Sequence, residues 1–386
     1  MATYFYTNRM LNTNIDTTDI RILGLMTGSS ADGLDLCLVH FTGEPLSPCY
    51  EVLFTGEIPY PVTFQTAFRN PLRIDEDQIK ELHEALGTWF ANQISQLGLQ
   101  FDCIASHGQT IKHEPPHYSL QIGNPRYMAE KFQVPVIYDF RTADILQGGQ
   151  GAPLIPIVDH FLLKGSQDVL ALNIGGISNL TVIPGENSLQ PVLAWDTGPG
   201  NSLIDKAVRL YSKDKLNYDP EGTIAASGKS NTKLLKYLLK HKFYSIIPPR
   251  SAGQEQFGLD YFNQILKEFY PATDQEFKDF IRTLTVLTAK TIANSINDLL
   301  KLYSPNKLFV SGGGFYNSTL IGLLELELPD LQINELKLPG INPKNKEAFG
   351  FAYLGHRSLN NLTGNIPSVT GARKKVVLGK ILRPGL

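Results

Sequence analysis

Asp196 is the side chain in this sequence best placed for base chemistry. It ends an apolar run at 192–195 and opens Asp196-Thr197-Gly198-Pro199-Gly200-Asn201, where glycines and a proline fix a rigid turn into a helix with Asn201 in the capping position. A carboxylate at a strand end facing a cleft can take a proton from water or an alcohol during phosphoryl transfer. Taken alone, the hexapeptide reads more readily as a plain turn aspartate. His107 stands just beyond another strand in Ala105-Ser106-His107-Gly108-Gln109-Thr110, with Gln109 two residues on and so on the same face of an extended segment. Such groups suit a hydroxyl-rich ligand, although a neutral histidine bonded to backbone fits as well. Arg141 and Gln150 are further polar residues at a strand end and a glycine turn.

Three glycine-rich turns follow directly on strands: Gly28-Ser29-Ser30-Ala31-Asp32-Gly33-Leu34-Asp35, Gly175-Gly176 and Gly312-Gly313-Gly314. Backbone amides in such turns can point at an anion with no Cβ in the way, as phosphate-binding loops do. Asp32 and Asp35 flank Gly33, where a carboxylate could hold Mg²⁺ directly or through water, or bond its own turn backbone. A Walker loop and a dinucleotide-binding Gly-x-Gly-x-x-Gly are both missing. Zinc is not expected, because His113 and His117 form no ligand spacing with Glu114.

The elements that must position these residues follow from periodicity. Strand, glycine turn, strand at 22–26 and 34–41 makes a hairpin, 51–60 supplies a third strand, and 75–97 a covering helix. Short strands are expected at 103–106, 119–122 and 134–138. A second hairpin, 169–174 with 178–183, repeats the opening logic. Helices are expected at 201–211, 231–239 and 277–302, a strand at 308–311, and a last helix at 348–359 that crosses back to the first lobe. With 386 residues the chain can fill two cores. We divide it into a first lobe at 1–165, a second at 166–345, and a C-terminal helix and tail at 346–386.

A net charge of -2 without a dense basic block argues against nucleic acid as a partner. No apolar run approaches the roughly 20 residues that span a bilayer, and residues 1–19 are polar without a signal-peptide core, so a cytoplasmic protein with no membrane partner is expected. Cys37, Cys49 and Cys103 show no paired spacing and read as reduced core residues.

Together these motifs resemble the anhydro-N-acetylmuramic acid kinases of the actin/hexokinase/Hsp70-like superfamily. The resemblance is carried by Gly24-Leu25-Met26-Thr27 running into the first glycine turn, Ser106-His107-Gly108-Gln109-Thr110, Leu120-Gln121-Ile122-Gly123, Asp139-Phe140-Arg141, Gly148-Gly149-Gln150-Gly151-Ala152-Pro153-Leu154, Leu172-Asn173-Ile174-Gly175-Gly176, the Asp196 hexapeptide, Ser311-Gly312-Gly313-Gly314 and Pro367-Ser368-Val369-Thr370-Gly371-Ala372, in family order. It implies an α/β, two-lobed, ribonuclease H-like fold with a central nucleotide cleft, and ATP and Mg²⁺ as cofactors. It further implies that the first hairpin (Gly28, Ser29, Ser30, Ala31, Asp32, Gly33, Leu34, Asp35) and Asn173, Gly175 and Gly176 close on the phosphates, with Gly312, Gly313 and Gly314 under the nucleoside. His107, Gln109, Arg141, Gln150 and Glu347 would meet a small anhydro sugar. Asp196 would activate a water that opens the 1,6-anhydro ring, and the freed O6 would take the γ-phosphate. A homodimer is also implied.

Thr142-Ala143 stands where bacterial members carry two further arginines, a feature shared with levoglucosan kinases, whose sugar lacks the lactyl carboxylate. Leu120-Gln121-Ile122-Gly123 favours the muramic sugar. The segment Pro249-Arg250-Ser251-Ala252-Gly253-Gln254-Glu255 departs from the family's Lys-Ser-Thr-Gly-Arg-Glu. Outside enzymes, a non-catalytic nucleotide-dependent module of the actin kind is the alternative.

Overall fold

The computed structural model describes residues 16–28, 31–68, 74–115, 117–342 and 345–385; Ser29 and Ser30 of the first glycine turn lie outside the described residues. Two sheets have one connectivity. In the first, β1 (Asp19–Met26), β2 (Gly33–Thr42) and β3 (Cys49–Pro59) form an antiparallel meander, and β4 (Cys103–Ser106) and β7 (Val136–Tyr138) continue in parallel on the other side of β1. In the second, β8 (Val169–Ile174), β9 (Ile177–Ile183) and β10 (Leu193–Pro199) repeat the meander, and β11 (Lys307–Ser311) and β12 (Gln332–Glu335) repeat the parallel pair beside β8. This repeated unit is the α/β architecture that an actin/hexokinase-like fold requires. A hairpin of β5 (Gln109–Glu114) and β6 (Tyr118–Ile122) stands apart, and β13 (Lys380–Leu382) adds an antiparallel edge to the first sheet.

The sheets are covered on both faces, so their central strands read as almost continuous apolar runs. Alternation within those runs sorts the side chains. Ile20, Ile22, Cys37, Val39 and Phe41 face Phe349, Ala352 and Tyr353 of the helix Lys346–Leu359, while Leu23, Leu25, Leu36 and Leu38 face Leu86, Phe90 and Ile94 of the helix Glu76–Gln96. In the second sheet Leu170, Leu172, Leu180, Val182, Leu308 and Val310 pack on Ile292, Ala293 and Ile296 of the long helix Asp274–Leu299. The helix Glu76–Gln96 starts at a full capping box, Asp75 with Gln78, and Asp274–Leu299 at another, Thr273 with Glu276.

Several expectations need correction. β10 runs through Asp196 to Pro199 instead of ending at residue 195, because a bulge between Asp196 and Gly198 keeps the strand paired to β9. The helix Ser202–Ser212 follows, but the Asn201 side chain does not cap it; its Nδ2 donates to Ile174 O. Cys37 and Cys103 are buried, whereas Cys49, at the start of edge strand β3, is exposed. Residues 109–114 form a strand that was not expected, as do β12 and β13. No helix among the described residues is long and apolar enough to cross a membrane.

Candidate active site

The candidate residues fall into four groups. At the first hairpin, Ala31 has a positive φ of 57° and its amide bonds Gly28 O at 3.2 Å, closing the turn, while Asp32 O accepts from Tyr60 N at 2.9 Å. Gln109 is buried and serves this turn: its Nε2 donates to Gly28 O (3.2 Å), and Oε1 accepts from Tyr60 Oη (3.2 Å). Asp32 is exposed, so its carboxylate is accessible to a hydrated cation. Magnesium keeps most of its waters and takes only one or two carboxylates alongside phosphates, which this turn can supply. Among the described residues no group of three metal-ligating side chains exists.

The second group is polar, with His107 enclosed and Gln150 and Glu347 exposed. His107 Nε2 accepts from Arg141 Nε at 3.0 Å, and Arg141 Nη1 donates to Gly151 O at 2.7 Å. Burial, then the neighbouring guanidinium, push His107 well below the usual histidine range, so the ring is neutral and its Nδ1 carries the proton. Burial also lowers Arg141, to about 10, against the opposing charge of Glu347. Glu347, in the first turn of the helix Lys346–Leu359, is exposed at the group's edge; desolvation by the protein around it raises its carboxyl, with Arg141 and Lys346 opposing. Gln150 is exposed, and its backbone N–H donates to Thr370 O at 2.8 Å. Thr27 Oγ1 to Gly108 O, 2.8 Å, ties this group to the first hairpin.

The second and third glycine turns form a single unit. A Cβ on Gly312 would stand 2.6 Å from Ile174 O, and one on Gly314 2.3 Å from Ile174 Cγ2, so the third turn lies directly on the β8–β9 hairpin. Ser311 Oγ reaches Asn173 Oδ1 at 3.3 Å. By contrast, a Cβ on Gly176 or Gly313 would meet nothing within 4 Å, so both present bare backbone to open space, which is what approach by a nucleotide needs.

Asp196 makes the fourth group and is fastened to the third. Gly200 N donates to Gly176 O (2.9 Å) and Asn201 N to Gly175 O (2.8 Å). A Cβ on Gly200 would come within 2.2 Å of Gly175 O, so only glycine permits this approach. The carboxylate itself is half-buried; Oδ2 accepts from Ala252 N at 2.6 Å. Burial raises its pKa to about 6, against the lowering effects of the Ala252 amide and Arg250, with Glu255 adding a further rise. A carboxylate of that pKa is mostly ionised at neutral pH and still basic enough to take a proton.

Comparison with known proteins now decides the family. A family model described as anhydro-N-acetylmuramic acid kinase matches residues 20–384. Relatives of that name include one from Caldanaerobacter subterraneus subsp. tengcongensis, 36% identical over 381 residues (93% of this chain, 96% of the relative), and one from Prochlorococcus marinus, 38% identical over 378 residues (93% and 98%). The chain belongs to the anhydro-N-acetylmuramic acid kinase family. It is therefore a kinase of the carbohydrate-directed class that its motifs announced. Among solved structures, the ROK hexokinase of Thermus thermophilus aligns over 86% of this chain and 98% of its own at 12% identity, but with a TM-score of 0.34, too low to carry an argument.

Among the described residues no hydrogen bond or ion pair joins Asp196 directly to the His107–Arg141 group. The two sides meet through other residues, which sequence reasoning missed. Asp144 is fully buried; Oδ2 accepts from Gly151 N (2.8 Å), and Oδ1 from Thr370 Oγ1 and Asn365 Nδ2 (2.7 Å each). It thus fixes both the 148–151 loop and the family motif at 367–372. Ser368 Oγ of that motif donates to Val192 O (2.6 Å), just before β10. Nothing local in Thr142-Ala143-Asp144 separates such an aspartate from a helix cap. A concavity of about 740 Å³ beside Arg21, Asp102 and Pro135 contains none of the candidate residues, and its Arg21 and Asp102 are paired with each other at 2.9 Å.

Proposed function

We propose that this chain opens the 1,6-anhydro ring of 1,6-anhydro-N-acetylmuramic acid and phosphorylates O6, using ATP, in the cytoplasm. The observation that carries this reading is the Asp196 carboxylate, raised to about 6 and held by one backbone amide on Oδ2. Oδ1 takes a proton from water, the hydroxide so formed attacks C1, and the C1–O6 bond breaks. O6 then attacks the γ-phosphorus, the bond to the β-phosphate oxygen breaks, and ADP leaves. Neutral His107, cationic Arg141 and Glu347 orient the sugar; the bare backbones of Gly176 and Gly313, with the first hairpin, receive the nucleotide. Mg²⁺ held at Asp32, with Asp35 nearby, would neutralise phosphate charge. Gln109, engaged by Gly28 and Tyr60, acts by holding the first turn.

Asp196→Asn should lower turnover by about 10²–10⁴-fold, the usual worth of a positioned base, while ATP affinity stays within a few-fold. ADP release coupled to NADH oxidation measures the first and calorimetric titration the second; undiminished turnover removes Asp196 from the chemistry. A second reading, levoglucosan as substrate, is favoured by one observation. Ala143 packs against the first core, leaving Arg141 as the one arginine of the 139–143 segment. Turnover of levoglucosan with none of the muramic sugar would select it.

A further inference from the structure

Arg250 lies between the short helical turn Lys242–Ser245 and the helix Gln254–Phe257, outside regular structure. Its guanidinium is occupied by the protein. Nε donates to Asp196 O (3.2 Å), Nη1 to the carbonyls of Phe243, Tyr244 and Ile246 (3.4, 3.2 and 2.9 Å), and Nη2 to Ser295 Oγ (3.4 Å). The cation also lies over the Phe243 ring at 4.8 Å. Its own carbonyl accepts from Asp196 N at 3.0 Å, and two residues on, Ala252 N donates to Asp196 Oδ2 at 2.6 Å. These hydrogen-bond partners are carbonyl and hydroxyl oxygens, so none of them neutralises the guanidinium, whose charge acts on the carboxylates of Asp196 and Asp298. A lysine ammonium cannot span so many acceptors in one plane.

We infer that Arg250 is a positioning residue for the reaction: it staples the 243–252 loop to β10, so that the Ala252 amide holds one oxygen of Asp196 and leaves the other to accept the proton. The inference rests on Asp196 being the base. It also accounts for how an irregular loop can hold a base to the sub-ångström tolerance that catalysis needs. The charged groups facing Asp196 are Arg250 and Glu255, with Tyr244 and Asp298 beside Arg250.

The test compares Arg250→Gln, Arg250→Lys, Asp196→Asn and the Arg250→Gln/Asp196→Asn double variant in the full chain. Arg250→Gln is expected to lower kcat by at least about tenfold with KM for ATP and sugar nearly unchanged, and to move the acidic limb of its pH profile upward, since a cation that favours the carboxylate is gone. Arg250→Lys keeps the charge without the fork and should fall between parent and Gln. In the Asp196→Asn background the Arg250 change should add nothing, because the two act as one unit. If Asp196→Asn is inactive while folded Arg250→Gln keeps full kcat, the inference is wrong; if Asp196→Asn is active, the reading of the base is wrong instead. Should Arg250→Gln fail to fold, full kcat in Arg250→Lys overturns the inference.

Discussion

At the residue scale, burial does opposite things to the groups of the site. It keeps His107 neutral and makes Asp196 a stronger base, because each group moves toward its uncharged form. With Asp196 protonated below about pH 6, kcat/KM should fall on the acid side of that value and level off above it. A pH–rate profile flat to pH 4.5 would exclude Asp196 as the ionising base. Asp205, on the helix Ser202–Ser212, is also raised to about 6, by burial first, with Arg209 and Lys206 opposing. The consequence there is for stability. Between its ordinary value of 3.8 and about 6 the folded chain holds a proton that the unfolded chain has lost, so this contribution is full below 3.8 and disappears as pH rises through 6. Asp205→Asn should therefore raise Tm relative to the parent more at pH 8 than at pH 4; an equal shift at both would reject the assignment. Asp196 and His107 stood out in the sequence because each follows closely on an apolar run. Arg250 and Asp144 did not, since each is tied to residues far along the chain, Asp196 and Ser295 for the first and Asn365 and Thr370 for the second, and such contacts leave no spacing to read.

At the scale of elements, the two hairpins were legible as a repeat, because in each an apolar run meets a glycine turn and a second apolar run. β12 and β13, of 4 and 3 residues, are too short to show alternation, and β10 was cut short because a polar residue followed by glycine and proline reads as a turn. Pairing with β9 overrides that local preference. The glycine turns were found as a class, but their members have different work, which only packing separates. Gly312 has φ 84° and ψ 171°, a region open essentially to glycine alone, and it abuts Ile174 O; Gly313 faces open space. Gly312→Ala should destabilise the fold by about 1–3 kcal/mol or more, the cost of a strained backbone with a clash added. Gly313→Ala should leave Tm close to the parent and weaken nucleotide binding, read as a higher KM for ATP. Equal losses of Tm in the two variants would show that the third turn is a packing element alone.

At the scale of the whole molecule, a buried polar contact joins three elements, two helices and a strand. Lys346, at the start of the helix that packs on β1, pairs with Asp159 of the helix Pro156–Leu163, both side chains largely buried at 13% and 8% exposure; Thr181 of β9 donates to the other oxygen of Asp159 at 3.3 Å. A helix of the first core, a connecting helix and a strand of the second sheet thus converge on one carboxylate. Breaking such a pair from one side leaves a charge that cannot be solvated, so Lys346→Met should cost about 3–5 kcal/mol in thermal or urea unfolding. Asp159→Leu with Lys346→Met removes both charges and should regain much of that loss. Glu347 is the next residue, so the single variant should also raise KM for the sugar more than KM for ATP, whereas a general loosening would raise both. A cost below about 1 kcal/mol would place the pair with solvent-exposed ion pairs and leave the helix held by its apolar face alone.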